Sequence, residues 1–328
     1  MTSETLSSRK NRHLQYFKIG LHDIGDTGLH GVSLNYFSLQ FIFPEDVELR
    51  TSFLGAELGA PFFLASVTGG TPEGKDFNRC AAECAIRLRL PMVTGSLRML
   101  LEHPEVFSTF DVNRDGEIPL FFGDLGVASA VRAGAARVRE LCDSLRMDGI
   151  FLYFNHAQEI AQPAAEHERV DPEAVQRFIE EFHAPVCIKE TGMGFSSEDL
   201  KRLGSWPIAA IDTGGCGGAN FLAVEANREG FPFSSGETET LIRAVGHPTA
   251  RVIHGARKLG IPVIAGGGIR SGLDMARALA IGASFASAAS PLVHAWHTDS
   301  ARGIEDWVRT RLEQLRMRED MVISGTDA

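Results

Sequence analysis

Residues Pro262 to Ala283 read PVIAGGGIRSGLDMARALAIGA, and this stretch decides the fold. An apolar run (Val263, Ile264, Ala265) enters three adjacent glycines, Gly266, Gly267 and Gly268, followed by Arg270, Asp274 and an Ala-rich helix that stops at Gly282. Contiguous glycines remove every Cβ from a turn, so backbone amides can close on a ligand oxygen while the next helix points its positive end at the same place. That combination predicts an anion cradle, with phosphate as the anion. The glycines are contiguous rather than spaced as in the dinucleotide fingerprint, and no acidic residue closes a second strand at the expected distance. The bland alternative is a tight strand-to-helix turn that needs glycine for its own sake.

Outward from this stretch, the same unit repeats. Short apolar runs recur at Phe62–Val67, Met92–Thr94, Leu120–Phe122, Gly149–Phe154, Pro185–Ile188, Ile208–Ile211, Pro262–Ala265 and Ser284–Ala288. Helical segments are expected between them at Asp76–Leu88, Arg98–Phe107, Ala128–Arg146, Pro172–Glu181, Ser197–Leu203, Thr238–Leu259 and Gly272–Leu279, with Ile304–Met317 closing the chain. Eight short runs, each apolar enough to be buried on both faces and alternating with helices, predict a (β/α)8 TIM barrel over residues 51–328. A doubly wound sheet is the alternative, and it rarely needs eight consecutive units. Residues 1–50 read as an N-terminal extension. Its basic cluster (Arg9, Lys10, Arg12, His13) becomes a lid if it folds back over a phosphate site, and Phe37–Phe43 alternate as a strand ending at Pro44.

Composition bounds the function. With 328 residues, 44% of them hydrophobic, the chain can bury a large core, and a formal net charge of -10 argues against a nucleic-acid partner. No apolar run is long enough for a membrane span and the polar start has no signal-peptide core, which together predict a cytoplasmic location. Five scattered cysteines, with Cys80 and Cys84 one helical turn apart, fit core packing better than a metal site.

Barrel sites are built from the carboxyl ends of the strands. Reading those ends gives Thr68 with Gly69 and Gly70, Gly95 with Ser96, Asp124, Asn155 with Gln158 and Glu159, Lys189 with Glu190, Asp212 with Gly214 to Gly218, the Gly266–Gly268 turn, and Ala288 with Ala289. Lys189 would be a cation near the axis, able to stabilise negative charge on a flavin ring or an enolate-like species; alternatively it is simply paired with Glu190 or Asp212. Asn155, Gln158 and Glu159 form a hard-oxygen cluster suited to Mg2+ shared with a substrate phosphate, or else Glu159 is only a favourable charge at a helix start. His156 and His167 take no role. No Ser-His-Asp elbow, GKS/T loop or HExxH is present.

Taken in order, RKNRH (Arg9–His13), FPEDVEL, SVTGG (Ser66–Gly70), GSLR (Gly95–Arg98), NHAQE (Asn155–Glu159), IKETGMGFS (Ile188–Ser196), DTGGCGGANF (Asp212–Phe221) and AGGGIRSGLD resemble the type 2 isopentenyl diphosphate isomerases, FMN-dependent barrel enzymes, across almost the whole chain. The resemblance implies that reduced FMN moves a double bond between isopentenyl and dimethylallyl diphosphate without net redox change, with NADPH as the flavin's reductant and Mg2+ as metal. It further implies that Thr68, Ser96, Asp124, Lys189, Gly217, Gly218, Gly267, Gly268, Arg270, Ala288 and Ala289 hold FMN. Arg9, Lys10, His13, Arg98, Asn155 and Ser196 would grip the diphosphate, Gln158 would be catalytic, Glu159 would carry Mg2+, and the chain would self-associate. Four departures fall at the site: Tyr153 where the family has histidine, Asp124 where it has asparagine, and Cys216 and Ala219 in place of an arginine and a hydroxyl. They open two other expectations, a diverged FMN-dependent oxidoreductase or isomerase acting on a different small molecule, and a non-catalytic flavin-binding relative.

Overall fold

In the computed structural model, which describes residues 14–16, 25–35, 39, 43–161, 168–226 and 231–319, the chain closes a ring of eight parallel strands. A short antiparallel pair precedes it, β1 (Thr51–Phe53) and β2 (Ala56–Leu58). The ring then runs through β3 (Phe62–Leu64), β4 (Met92–Ser96), β5 (Phe121–Gly126), β6 (Gly149–Phe154) and β7 (Val186–Glu190). It continues with β8 (Ala210–Asp212) and β9 (Val263–Ala265), and β10 (Phe285–Ala288) pairs back onto β3. All eight expected strands are present in the expected order, and the ring excludes the open doubly wound sheet.

Side chains alternate across each strand, so every second residue points along the barrel axis. Phe63, Val93, Phe122, Phe151, Cys187, Ala210, Ile264 and Phe285 fill one interior layer, their phenyl rings meeting edge to face, as Phe122 meets Phe151 at 5.4 Å and 89°. Phe53 and Leu58 of the β1–β2 pair join this cluster from below. The pair is therefore a plug on the amino end of the barrel, and the sequence reading did not anticipate it.

The outer helices follow their caps. Thr71, Asp171, Ser196 and Ser271 accept a backbone N–H at the starts of Pro72–Leu88, Pro172–Glu181, Ser197–Leu203 and Gly272–Ala280. Three expected helices are corrected. Ala128–Arg146 is two, Val127–Ala133 and Ala135–Ser144, separated by Gly134 at φ 81. Arg98–Phe107 ends at Glu102 and continues from Pro104 as a 3-10 turn. Thr238–Leu259 is Ser235–Val245 and Thr249–Ala256, because Gly246, His247 and Pro248 cannot continue a helix. The last helical run, Ser290–Glu319, bends at Asp299 and Ser300 and packs against Pro72–Leu88 and Gly272–Ala280.

From the extension, Leu29 and Leu49 are buried in the main core, and Thr27 lies against the glycine loops at the carboxyl rim. The expected strand Phe37–Phe43 falls on residues of which only Leu39 and Phe43 are described.

Candidate active site

Above the phenylalanine layer the same alternation brings up a polar one. Two residues on from each apolar side chain stand Ala65, Asp124, Tyr153, Lys189, Asp212, Gly266 and Ser287, while a register shift in β4 brings in Ser96. All of them line one large cavity at the carboxyl mouth of the barrel, with about 1330 Å³ of space free of protein atoms, part of it open to solvent. A ring of polar side chains directly over a dry, aromatic floor gives charges little water to hide in, so their pairing matters.

Lys189 Nζ lies 3.5 Å from Asp212 Oδ2, both largely buried. Burial works against the ammonium charge, but the Asp212 and Asp124 carboxylates outweigh it and hold Lys189 above its ordinary range. The ion-pair reading of Lys189 is thus realised with Asp212, and the lysine still faces the cavity. The Tyr153 hydroxyl lies 3.1 Å from Ser96 Oγ. Burial first, and then the Asp124 charge, pushes Tyr153 up to about 12, so it stays a protonated donor at neutral pH. Burial likewise lifts the Cys216 thiol to about 12, which makes it packing rather than a nucleophile.

Asn155, Gln158 and Glu159 follow β6 as a wired set. Asn155 Nδ2 donates to Gln158 Oε1 (3.1 Å) and to Glu159 Oε1 (3.0 Å), and Gln158 Nε2 donates to Glu225 Oε1 (3.0 Å). Glu225 is buried on Phe221–Ala226, a short helix outside every expected element; its pairing with Gln158 across 67 positions leaves no mark in the local sequence. Among the described residues no cluster of three or more His, Cys, Asp or Glu side chains is close enough to hold a metal by itself. Glu159 Oε1 and the Gln158 amide oxygen, both held by the Asn155 amide, are the hard-oxygen donors in this set, of the kind that a cation taking its other ligands from water and phosphate uses.

The two glycine clusters converge. Gly215 N donates to Gly266 O at 3.0 Å, and a Cβ on Gly218 would sit 2.3 Å from Gly268 N. Arg270 staples them, donating to Gly268 O (3.0 Å) and Gly217 O (2.6 Å). Gly218, Gly267, Gly268 and Arg270 line the cavity, with Ala288 and Ala289 at the end of β10 beside them. The glycines permit the close approach of two loops, and that approach builds the cavity wall.

Arg98 also lines the cavity, its Nε 2.9 Å from Glu102 Oε1. Three expected site residues are placed elsewhere. Gly217 packs against Thr27 behind the wall. Ser196 caps Ser197–Leu203, its hydroxyl 2.7 Å from Asp199 Oδ2. Thr68 is buried at the exit of β3, its hydroxyl without a hydrogen-bond partner among the described residues. Arg9, Lys10 and His13 lie outside the described residues, as does His167.

Two features test the site against a flavin mononucleotide. Gly218, Gly267, Gly268 and Arg270 give one wall of the cavity the bare backbone and guanidinium that suit a phosphate tail, and Lys189 stands in the same cavity as a cation for a planar ring. The fold and the mouth together define a (β/α)8 barrel of the flavin-binding kind.

The comparisons agree. The family described as FMN-dependent dehydrogenase matches residues 241–327. Isopentenyl-diphosphate delta-isomerase of Deinococcus radiodurans is 34% identical over 96% of this chain and 94% of its own, and that of Methanoregula boonei 37% over 88% and 82%. Among solved structures, a mandelate oxidase variant with (S)-mandelic acid superposes with a TM-score of 0.63 at 16% identity, covering 99% of this chain and 96% of that one. A flavocytochrome b2 variant with pyruvate gives 0.65 at 15%, covering 96% and 79%. The chain belongs to the FMN-dependent isopentenyl-diphosphate delta-isomerase family.

Proposed function

We propose that this protein interconverts isopentenyl and dimethylallyl diphosphate at the barrel mouth, using reduced FMN charged by NADPH. The single observation that carries the reading is the convergence of two glycine loops, far apart in sequence, beside a polar ring centred on Lys189. Ser96, Asp124, Lys189, Gly218, Gly267, Gly268, Arg270, Ala288 and Ala289 would hold FMN, with Gly217 and Thr68 supporting the site from outside its lining. Reduced FMN, when bound, would supply the acid–base chemistry that moves the double bond.

The chain's own groups bind and orient. Gln158, fixed between Asn155 and Glu225, would present its amide to the reacting carbons, and the buried Glu225 carboxylate would keep that amide's orientation. Glu159 would share Mg2+ with the substrate diphosphate, which Arg98 and Asn155 would grip along with Arg9, Lys10, His13 and Ser196. The phenylalanine layer beneath excludes water from the floor, which strengthens every charge above it. Self-association belongs to the same reading. Anaerobic protein reduced with NADPH and given Mg2+ should convert isopentenyl to dimethylallyl diphosphate, and no product at any protein concentration refutes the reading.

One observation favours a second reading, a flavoenzyme acting on another small molecule. The Tyr153–Ser96 hydroxyl pair and Asp124 alter the polar ring where the family carries histidine and asparagine. Reduction or reoxidation of bound FMN by a substrate lacking a diphosphate would support it.

A further inference from the structure

Glu190 stands next to Lys189 on β7, so the strand's alternation turns its side chain to the opposite face. Its Oε2 accepts three successive backbone amides, from Gly192 (2.7 Å), Met193 (2.5 Å) and Gly194 (2.8 Å). Consecutive amides curled around one oxygen form the concavity that proteins ordinarily offer to a bound anion, and here the chain's own carboxylate fills it. Gly192 and Gly194 hold positive φ (129 and 70), the backbone such a curl requires.

The same turn is tied to its neighbours. Gly192 N and Gly194 N also donate to Gly214 O at 2.9 and 3.0 Å. Gly192 O accepts from Asn220 Nδ2 (2.7 Å), and Met193 O accepts from His247 N (2.7 Å). A Cβ on Gly214 would meet Glu190 O at 1.9 Å, so the exits of β7 and β8 are in contact. Glu190, Thr191 and Gly192 all line the cavity beside Lys189. We infer that Glu190 is the positioning residue of this wall: with its Oε2 taken up by the turn's amides, it holds the Thr191–Gly194 turn against Gly214 and so sets the shape of the ligand cavity.

The inference rests on the proposed function for the identity of the ligands, and the test separates the two. FMN-loaded protein is compared with Glu190→Ala and Glu190→Gln at pH 7. In Glu190→Ala the KM for isopentenyl diphosphate should rise about tenfold and the visible circular dichroism of bound FMN should change. Glu190→Gln keeps an acceptor oxygen and should restore both to within about threefold of the parent. An alanine variant with parental KM and dichroism, or a glutamine variant as impaired as the alanine one, overturns the inference. Should the alanine variant fail to fold, hydrogen exchange of the parent decides: slow exchange at the Met193 amide, which donates to Glu190 and not to Gly214, supports the clamp, and exchange as fast as in an exposed turn overturns it. A parent protein that binds FMN but makes no dimethylallyl diphosphate defeats the proposed function and leaves the dichroism and exchange readouts valid.

Discussion

At Gly218 a single added methyl is enough to test the cofactor wall. Its Cβ would lie 2.3 Å from Gly268 N and 2.8 Å from Gly267, against backbone that cannot swing aside. Gly218→Ala should therefore push the two loops apart, cost about 1–3 kcal/mol of stability and weaken FMN binding by at least about tenfold. Fluorescence titration with FMN and a thermal melt measure the two effects. Glu190 makes a pH prediction. Burial raises its carboxyl from 4.5 to about 7, although the clamped amides pull the other way. A carboxyl whose pKa is higher folded than unfolded favours the native state fully below pH 4.5, and that contribution is lost as pH rises toward 7. The parent should lose stability relative to Glu190→Gln across this window in paired denaturant titrations, and parallel pH profiles would refute the assignment. Most of the polar ring was legible in the sequence because it sits at strand exits: Ser96, Asp124, Lys189 and Asp212 stand one or two residues past an apolar run. Glu190 was visible as a strand-exit residue and as a possible partner of Lys189. Its actual partners are backbone amides, which carry no signature in side-chain type.

The elements show the same division between what periodicity reveals and what turn chemistry decides. The eight barrel strands are apolar on both faces and stood out. The β1–β2 pair did not, since three-residue strands are too short to establish an alternation. Its signal was the dipeptide Leu54-Gly55, where φ is 49 and 84 and two residues close a hairpin by the tight turn that glycine favours. The helices expected to be continuous broke at Gly134 and at Gly246 to Pro248, where backbone constraint overrode the helical spacing on either side. The hairpin's burial gives it weight. Leu58, 1% exposed, packs under the phenylalanine layer, so Leu58→Ala should cost about 2–5 kcal/mol. Because the plug lies at the end opposite the cavity, FMN affinity per folded molecule should be unchanged. Urea unfolding combined with FMN titration checks both halves, and a loss of affinity without loss of stability would contradict the placement.

Across the whole molecule, the cavity draws on every barrel strand, from Ala65 after β3 to Ser287 on β10, together with glycine loops that meet though some fifty positions apart. A ligand held by such a set cannot leave its contribution in one loop. Binding to the native state alone stabilises it by RT ln(1 + [L]/Kd), about 2.7 kcal/mol when free ligand is a hundredfold above Kd. Stripping FMN should thus lower the midpoint of global unfolding, and adding it back should raise the midpoint with the logarithm of its concentration. If the flavin were instead bound by a single surface turn that opens locally, hydrogen exchange would gain protection only around Gly266–Gly268, and strands on the far side of the ring would exchange through global unfolding as before. Slower global exchange at β5 and β6 on loading, read with the rise in melting temperature, is the result a closed ring requires. A melt insensitive to FMN in protein shown spectroscopically to be loaded would contradict it.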